Sequence, residues 1–255
     1  MSSAPKIALI TGAGKRIGRH LALSLAQKGW HIAATYNTSE QETQTLQNEI
    51  QEGGQKCFTT KVDLAIPAEV DACLPACIEA LGPPSLLINN ASLFLKDDPA
   101  SFTASEFDQH MAVNLKAPLL LAQAFAKAER AAATEAGEAQ TSAQANIINL
   151  TDQRVENPGT SFFSYSLSKI GLASATQTMA QSFAPRVRVN AIAPGPVLQS
   201  VHQTAEEFQK EWHSTPLRRG TTLEELERAV DMILHTPSMT GTTLYLDGGQ
   251  RLGKA

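Results

Sequence analysis

Tyr165-Ser166-Leu167-Ser168-Lys169 sets a phenol and an ammonium four residues apart, which on a helix is one turn and one face. A phenol with a pKa near about 10 is a poor acid–base group at neutral pH. A neighbouring cation stabilises phenolate, and moving that pKa to about 7 takes roughly 4 kcal/mol of differential interaction. Alone, such a pair is commonly a surface coincidence. Its weight here comes from its place, beyond a glycine loop that could hold a nucleotide.

That loop is Thr11-Gly12-Ala13-Gly14-Lys15-Arg16-Ile17-Gly18, with an apolar run before it and a helical pattern after it. Gly12 suits a tight turn and Gly18 suits close packing of helix on strand, while free N–H groups at the helix start can hold a pyrophosphate. An acidic residue at the end of the second strand would grip a ribose 2′-hydroxyl and repel a 2′-phosphate. Here that strand ends Thr35-Tyr36-Asn37-Thr38-Ser39, with no carboxylate before Glu40. Lys15 and Arg16 add positive charge, and Arg16 offers a forked donor set to the phosphate or to a substrate. The alternative for both is a pair of solvated loop charges. The pattern favours NADP over NAD.

The elements that must position these groups alternate along the chain. Ile7–Ile10, His31–Thr35, Lys56–Val62, Leu86–Asn89, Ala145–Leu150, Val187–Ala193 and Thr242–Leu246 read as buried strands. Between them, helical spacing runs through Leu21, Leu25 and Ala26 to a stop at Gly29, then over Ser39–Glu52, Pro67–Leu81, Ala104–Arg130, Tyr165–Phe183 and Thr222–His235. This predicts an α/β fold, a Rossmann-like doubly wound parallel sheet of about seven strands in a three-layer αβα arrangement. No interior linker is visible, so residues 1–255 read as one domain. Ala131–Gln144 reads as a solvated loop or frayed helix end, and Pro194–Gly220, the longest stretch without periodicity, as a lid over roughly 196–220.

With 42% hydrophobic and 18% charged residues the chain can build a sizeable core, and a net charge of −4 gives no basic surface for nucleic acid or anionic lipid. The run Ile7–Ile10 is too brief for a signal peptide or a membrane span. A cytoplasmic protein with no membrane or nucleic-acid partner is expected. Cys57, Cys73 and Cys77 form no zinc set, so reduced thiols and no metal are expected.

Taken in order, Thr11-Gly12 with Gly18, Asp63, Asn89-Asn90-Ala91, Asn114, Tyr165 with Lys169, Pro194-Gly195 and Asp247-Gly248-Gly249 resemble the short-chain dehydrogenase/reductase family over essentially the whole length. The resemblance implies that Tyr165 donates a proton, that Lys169 lowers its pKa and holds the nicotinamide ribose, and that Asn114 supports a water relay. It implies an NADPH/NADP+ site made by Gly12, Lys15, Arg16, Ile17, Gly18, Tyr36, Asn37, Thr38, Asp63 at the adenine, Leu64, Asn90, Ala91, Ser92, Tyr165, Lys169, Pro194 and Gly195. Family members commonly form tetramers, and the small residues Gly171, Ala173, Ser174 and Ala175 suit either close helix approach between subunits or plain core packing.

Two departures carry information. One of the family's usual loop glycines is replaced by Arg16, and the serine usually found thirteen residues before the tyrosine is replaced by Asp152. A serine hydroxyl polarises a ketone by donating a hydrogen bond, whereas an ionised carboxylate only accepts and repels a developing alkoxide. Asp152 therefore suits a substrate with N–H donors, or a ring nitrogen protonated through the Asp152–Tyr165 pair. Asp152 acting only as a loop-fixing cap is the competing role.

Ala13-Gly14-Lys15-Arg16, Asp152 and Asn90-Ala91-Ser92-Leu93-Phe94 resemble the pteridine reductase branch, which includes dihydromonapterin reductases. That resemblance implies Phe94 stacked on a pterin against the nicotinamide, with Ser92, Arg16 and Tyr165 as polar contacts. A loop aromatic covering the core edge is the other role open to Phe94. The sequence thus points to NADPH-dependent reduction of a dihydropterin. A carbonyl reductase such as a 3-oxoacyl thioester reductase, and a catalytically silent nucleotide-binding sensor or scaffold, are the alternatives.

Overall fold

Aliphatic runs too short for helices form strands that are buried on both faces when helices cover both sides of a sheet. The computed structural model describes residues 6–135 and 145–253. Its strands are β1 (Ile7–Ile10), β2 (His31–Tyr36), β3 (Cys57–Lys61), β4 (Leu86–Asn89), β5 (Ala145–Leu150), β6 (Val187–Pro194) and β7 (Thr243–Leu246). They pair in parallel in the order β3-β2-β1-β4-β5-β6-β7. The expected strands agree with these to within one residue at either end.

Alternate residues of each strand feed two cores. Ala8, Ile10, Leu86 and Ile88 meet α1 (Arg16–Gln27), α2 (Glu40–Glu52) and α8 (Leu223–His235) through Leu21, Leu25, Leu46, Ile50, Leu226 and Ile233. Ile7, Leu9, Leu87, Ile147 and Val189 face the other way, onto α3 (Pro67–Leu81), α5 (Ala117–Glu135) and α6 (Phe163–Phe183). The result is the three-layer αβα sandwich. Strand order reverses between β1 and β4, which opens a crevice at their carboxyl ends, the place where such sheets bind ligands. Among the described residues no helix is long and apolar enough to cross a membrane.

Three expectations need correction. The helix expected over Ala104–Arg130 is divided into α4 (Ala104–Met111), one π-helical turn (Ala112–Lys116) and α5. The π turn is centred on Asn114, whose side chain is committed to tertiary bonds. Residues 131–135, expected to be loop or frayed end, continue α5; residues 136–144 of that expectation lie outside the described residues. The stretch expected to lack periodicity contains α7 (Ala205–His213), started by a capping box in which Thr204 and Glu207 satisfy each other's backbone N–H groups.

A buried polar ladder fixes α6 on the sheet. Asn89 Nδ2 donates to Asn149 Oδ1 (2.8 Å), Asn149 Nδ2 donates to Thr176 Oγ1 (2.9 Å), and Thr176 Oγ1 donates to the Leu172 carbonyl (2.9 Å). Thr176→Val keeps the shape but strands the Asn149 amide in a site closed to water. A loss of roughly 1–3 kcal/mol is expected, seen as a fall in thermal midpoint of about 2–4 °C per kcal/mol; an unchanged midpoint would show that the ladder contributes nothing.

Candidate active site

The crevice begins with the glycine loop. Thr11 Oγ1 accepts from the N–H groups of Asn90 and Ala91 (both 3.0 Å), and Asn90 Nδ2 returns bonds to the carbonyls of Thr11 (2.9 Å) and Gly12 (3.1 Å). The ends of β1 and β4 are thereby stapled together. Any side chain on Gly18 would meet the Gly12 carbonyl at 2.4 Å and Asn90 Nδ2 at 2.5 Å, so α1 packs here only because the residue is glycine. Lys15 brings no side-chain cap to α1 and the first turn holds no acid. Its leading N–H groups, Ile17 and Gly18 among them, are left for an anion.

Around that helix end, Gly14, Lys15, Arg16, Arg19, Glu42 and Thr45 line a hollow of about 440 Å³. Lys15 pairs with Glu42 (2.7 Å), which holds the Glu42 carboxyl below its ordinary range. Asn37 and Thr38 are exposed beside it at the end of β2, with Tyr36 half-buried. Asp63 turns one oxygen to the Ala65 N–H (2.9 Å), and Leu64 is buried next to it. Gly195, after Pro194 at the end of β6, is held by the Leu246 carbonyl (2.8 Å). These residues fit a dinucleotide: an uncapped helix start, a glycine-bearing loop and flanking cations face one crevice.

Further along the same edge lie the groups that can handle a proton. Tyr165 Oη donates to Asp152 Oδ2 at 2.8 Å, and the other carboxylate oxygen accepts the Arg154 N–H at 2.8 Å. Lys169 Nζ donates to the Leu150 carbonyl (2.8 Å) and lies 5.8 Å from the centre of the Tyr165 ring. Asn114 Oδ1 accepts from the Leu93 N–H (2.7 Å) and from Ser92 Oγ (3.3 Å), while its Nδ2 donates to the Leu93 carbonyl (2.8 Å) and to Ser168 Oγ (3.1 Å). One amide thus ties the loop after β4 to α6.

Burial sets the electrostatics of this cluster. Burial raises the Asp152 pKa above its ordinary 3.8, partly opposed by bonds from Arg154 and Tyr165. Burial, then Asp152, pushes the Tyr165 phenol well above 10. Burial lowers Lys169 from 10.5 to about 8. Burial and Asp152 favour the protonated phenol, with Lys169 lying across the ring from the hydroxyl's partner. Tyr165 is a phenol that holds its proton.

Phe94 faces this cluster, but not alone. Its ring stacks on Phe162 at 4.1 Å with 8° between planes and meets Tyr165 edge-on at 4.6 Å. His202 lies 5.8 Å from Phe94 and 5.9 Å from Phe162, and its Nε2 donates to the Phe94 carbonyl (2.8 Å). Phe162 and His202 escaped the sequence reading. Phe162 had one local signal, an aromatic three residues ahead of Tyr165; His202 had none, because its ring's partners Phe94 and Phe162 lie far away along the chain. Arg16, expected at a phosphate or substrate, instead spends its fork on the lid, donating to the carbonyls of Gln199 (2.8 Å) and Leu198 (3.1 Å). Gly171 takes up Leu115 of the same chain, whose Cδ2 would lie 2.9 Å from any added Cβ. Core packing accounts for that small residue. Cys57, Cys73 and Cys77 are buried free thiols, each pushed up to about 12 by burial.

Comparisons with known proteins agree with this geometry. The sequence model described as short chain dehydrogenase matches residues 6–210. The solved structure of FolM alternative dihydrofolate reductase 1 from Brucella suis, in complex with NADP, superposes with a TM-score of 0.90 at 36% identity over 100% of this chain and 98% of that one. Dihydromonapterin reductase of Escherichia coli is 28% identical over 96% of each chain. The 3-oxoacyl-[acyl-carrier-protein] reductase FabG of Staphylococcus aureus is 29% identical over 96% of this chain and 97% of its own. A parallel sheet with a glycine loop at its switch point, a Tyr165/Lys169 helix and this match place the chain in the short-chain dehydrogenase family.

Proposed function

We propose that this chain is an NADPH-dependent reductase acting on the C=N bond of a dihydropterin, dihydrofolate included. The observation that carries this reading is the bond from Tyr165 to Asp152, where the phenol's acid–base partner is a carboxylate. The NADP-bound relative and the dihydromonapterin reductase support it.

NADPH, when bound, supplies the hydride. Gly12, Ile17, Gly18, Asn90, Ala91 and Ser92 would line its phosphates and ribose, Lys15 and Arg16 with Tyr36, Asn37 and Thr38 would surround the 2′-phosphate, and Asp63 and Leu64 would meet the adenine. Lys169, Pro194 and Gly195 would lie at the nicotinamide end. Phe94, with Phe162 stacked on one of its faces and His202 nearby, supplies aromatic surface for a bicyclic ring. Ser92 and Arg16 stand beside it as polar contacts, Arg16 after releasing the lid.

Reduction at carbon leaves the ring nitrogen in need of a proton. Tyr165 delivers it, and Asp152, whose pKa is raised by burial, returns a proton to the phenol. The second Asp152 oxygen accepts N–H groups of the substrate. A ketone would have the Tyr165 hydroxyl as a donor but not a serine hydroxyl beside it, and an ionised Asp152 would repel its developing alkoxide. In this reading residues 1–255 work as one unit with residues 196–220 as the lid, in the cytoplasm, as a homotetramer.

The likeness to FabG keeps one competing substrate class open, the 3-oxoacyl thioesters. NADPH oxidation by the purified chain separates the two. A dihydropterin or dihydrofolate is expected to be turned over at least about a hundredfold more efficiently than acetoacetyl thioester, the discrimination usual when buried polar groups are left unpaired. The reverse order, or Asp152→Ser enhancing thioester reduction without loss on the pterin, would refute the proposal.

A further inference from the structure

Asp97 stands in the loop leaving β4, three residues after Phe94, and only 6% of its surface is exposed. Buried carboxylates are uncommon without a partner of their own. Its neighbour Asp98 is explained locally, since its oxygens accept from Ala100 N–H (2.8 Å) and Ser101 Oγ (2.6 Å) within one turn. Asp97 reaches across the fold instead. Both of its carboxylate oxygens lie 3.2 Å from the Ser164 N–H, and its backbone carbonyl accepts the Phe162 N–H at 2.8 Å.

Those two amides belong to the start of α6, which lacks a cap of its own. The residue in the N-cap position is Phe162, with φ +62 and ψ 47, and its side chain caps nothing. A bulky residue rarely adopts this left-handed conformation unless its surroundings impose it. Asp97 imposes it: the carbonyl holds the Phe162 N–H while the carboxylate takes the place of the missing N-cap. The turn so fixed lays the Phe162 ring on Phe94 and starts the helix two residues before Tyr165.

We infer that Asp97 is a positioning residue that sets the spacing between the aromatic wall, Phe94 and Phe162, and the proton donor Tyr165. The wall's role as the substrate face rests on the function proposed above; Tyr165 serves pterin and carbonyl reduction alike. A displacement of about 1 Å at a reacting centre can cost roughly a hundredfold in rate, while the glycine loop, which would carry the phosphates, lies outside this clamp.

The test compares full-length wild type, Asp97→Ala and Asp97→Asn by NADPH fluorescence titration and by steady-state kinetics with a dihydropterin. For Asp97→Ala, kcat/KM is expected to fall roughly ten- to a hundredfold while the NADPH Kd stays within about twofold. Asp97→Asn, whose amide oxygen still accepts from Ser164 but without the charge, is expected to recover to roughly two- to fivefold below wild type. Wild-type kcat/KM in Asp97→Ala overturns the inference. So does a loss shared equally between NADPH affinity and kcat/KM and unrelieved by asparagine, which would mark general destabilisation. Should Asp97→Ala not fold, Asp97→Asn carries the test: a two- to fivefold loss at unchanged NADPH affinity supports the inference, and kinetics identical to wild type refute it. A wild type that ignores dihydropterins refutes the substrate reading alone, and the same ratios are then read with the thioester it reduces.

Discussion

A carboxylate and a phenol buried side by side are stable only when a hydrogen bond joins them, and the 2.8 Å contact from Tyr165 to Asp152 is that bond. Desolvation raises the pKa of both, and it lowers that of Lys169, the nearest buried ammonium, to about 8. Each shift favours the neutral form of its group. The site therefore stores protons near its reacting end more readily than charge. That bias suits delivery of a proton to a nitrogen.

Holding this bond is the work of several elements at the sheet's switch point. β5 delivers Asp152 just past its end, and the Arg154 N–H orients the carboxylate. α6 delivers Tyr165 and Lys169, and is fastened by the Asn89–Asn149–Thr176 ladder below and by Asn114 alongside. Asn114 can reach both Leu93 and Ser168 because its helix widens into a π turn there, a distortion often found at functional sites. The aromatic wall then closes the space above Tyr165, and Arg16 and His202 draw the lid onto it.

Much of this was legible in the sequence, for identifiable reasons. The strands were readable because buried parallel strands are unbroken apolar runs, and Tyr165, Lys169, Asp152 and Asn114 because local spacing and family order mark them. The π turn was invisible: Ala112–Lys116 preserves a helical apolar pattern, and only the tertiary bonds of Asn114 widen it. α7 was missed although its signal was present, a threonine three residues ahead of Glu207. Arg16 was expected at a phosphate or substrate, and nothing local encodes that the lid carbonyls compete for its fork. His202 and Asp97 act through partners far along the chain that no local pattern encodes, and Phe162 offered only its place ahead of Tyr165.

The claim on which the account turns is that Asp152 and Tyr165 act as one proton-holding pair. The pH dependence of kcat/KM for dihydropterin reduction, measured in wild type and Asp152→Asn, tests it most directly. Because burial raises Asp152, wild-type kcat/KM should fall with rising pH in a step centred above 3.8, and fall again as Lys169 loses its charge near pH 8. Asp152→Asn should abolish the first step and leave the second. An Asp152→Asn profile that keeps both steps would show that the carboxyl takes no part in the proton transfer.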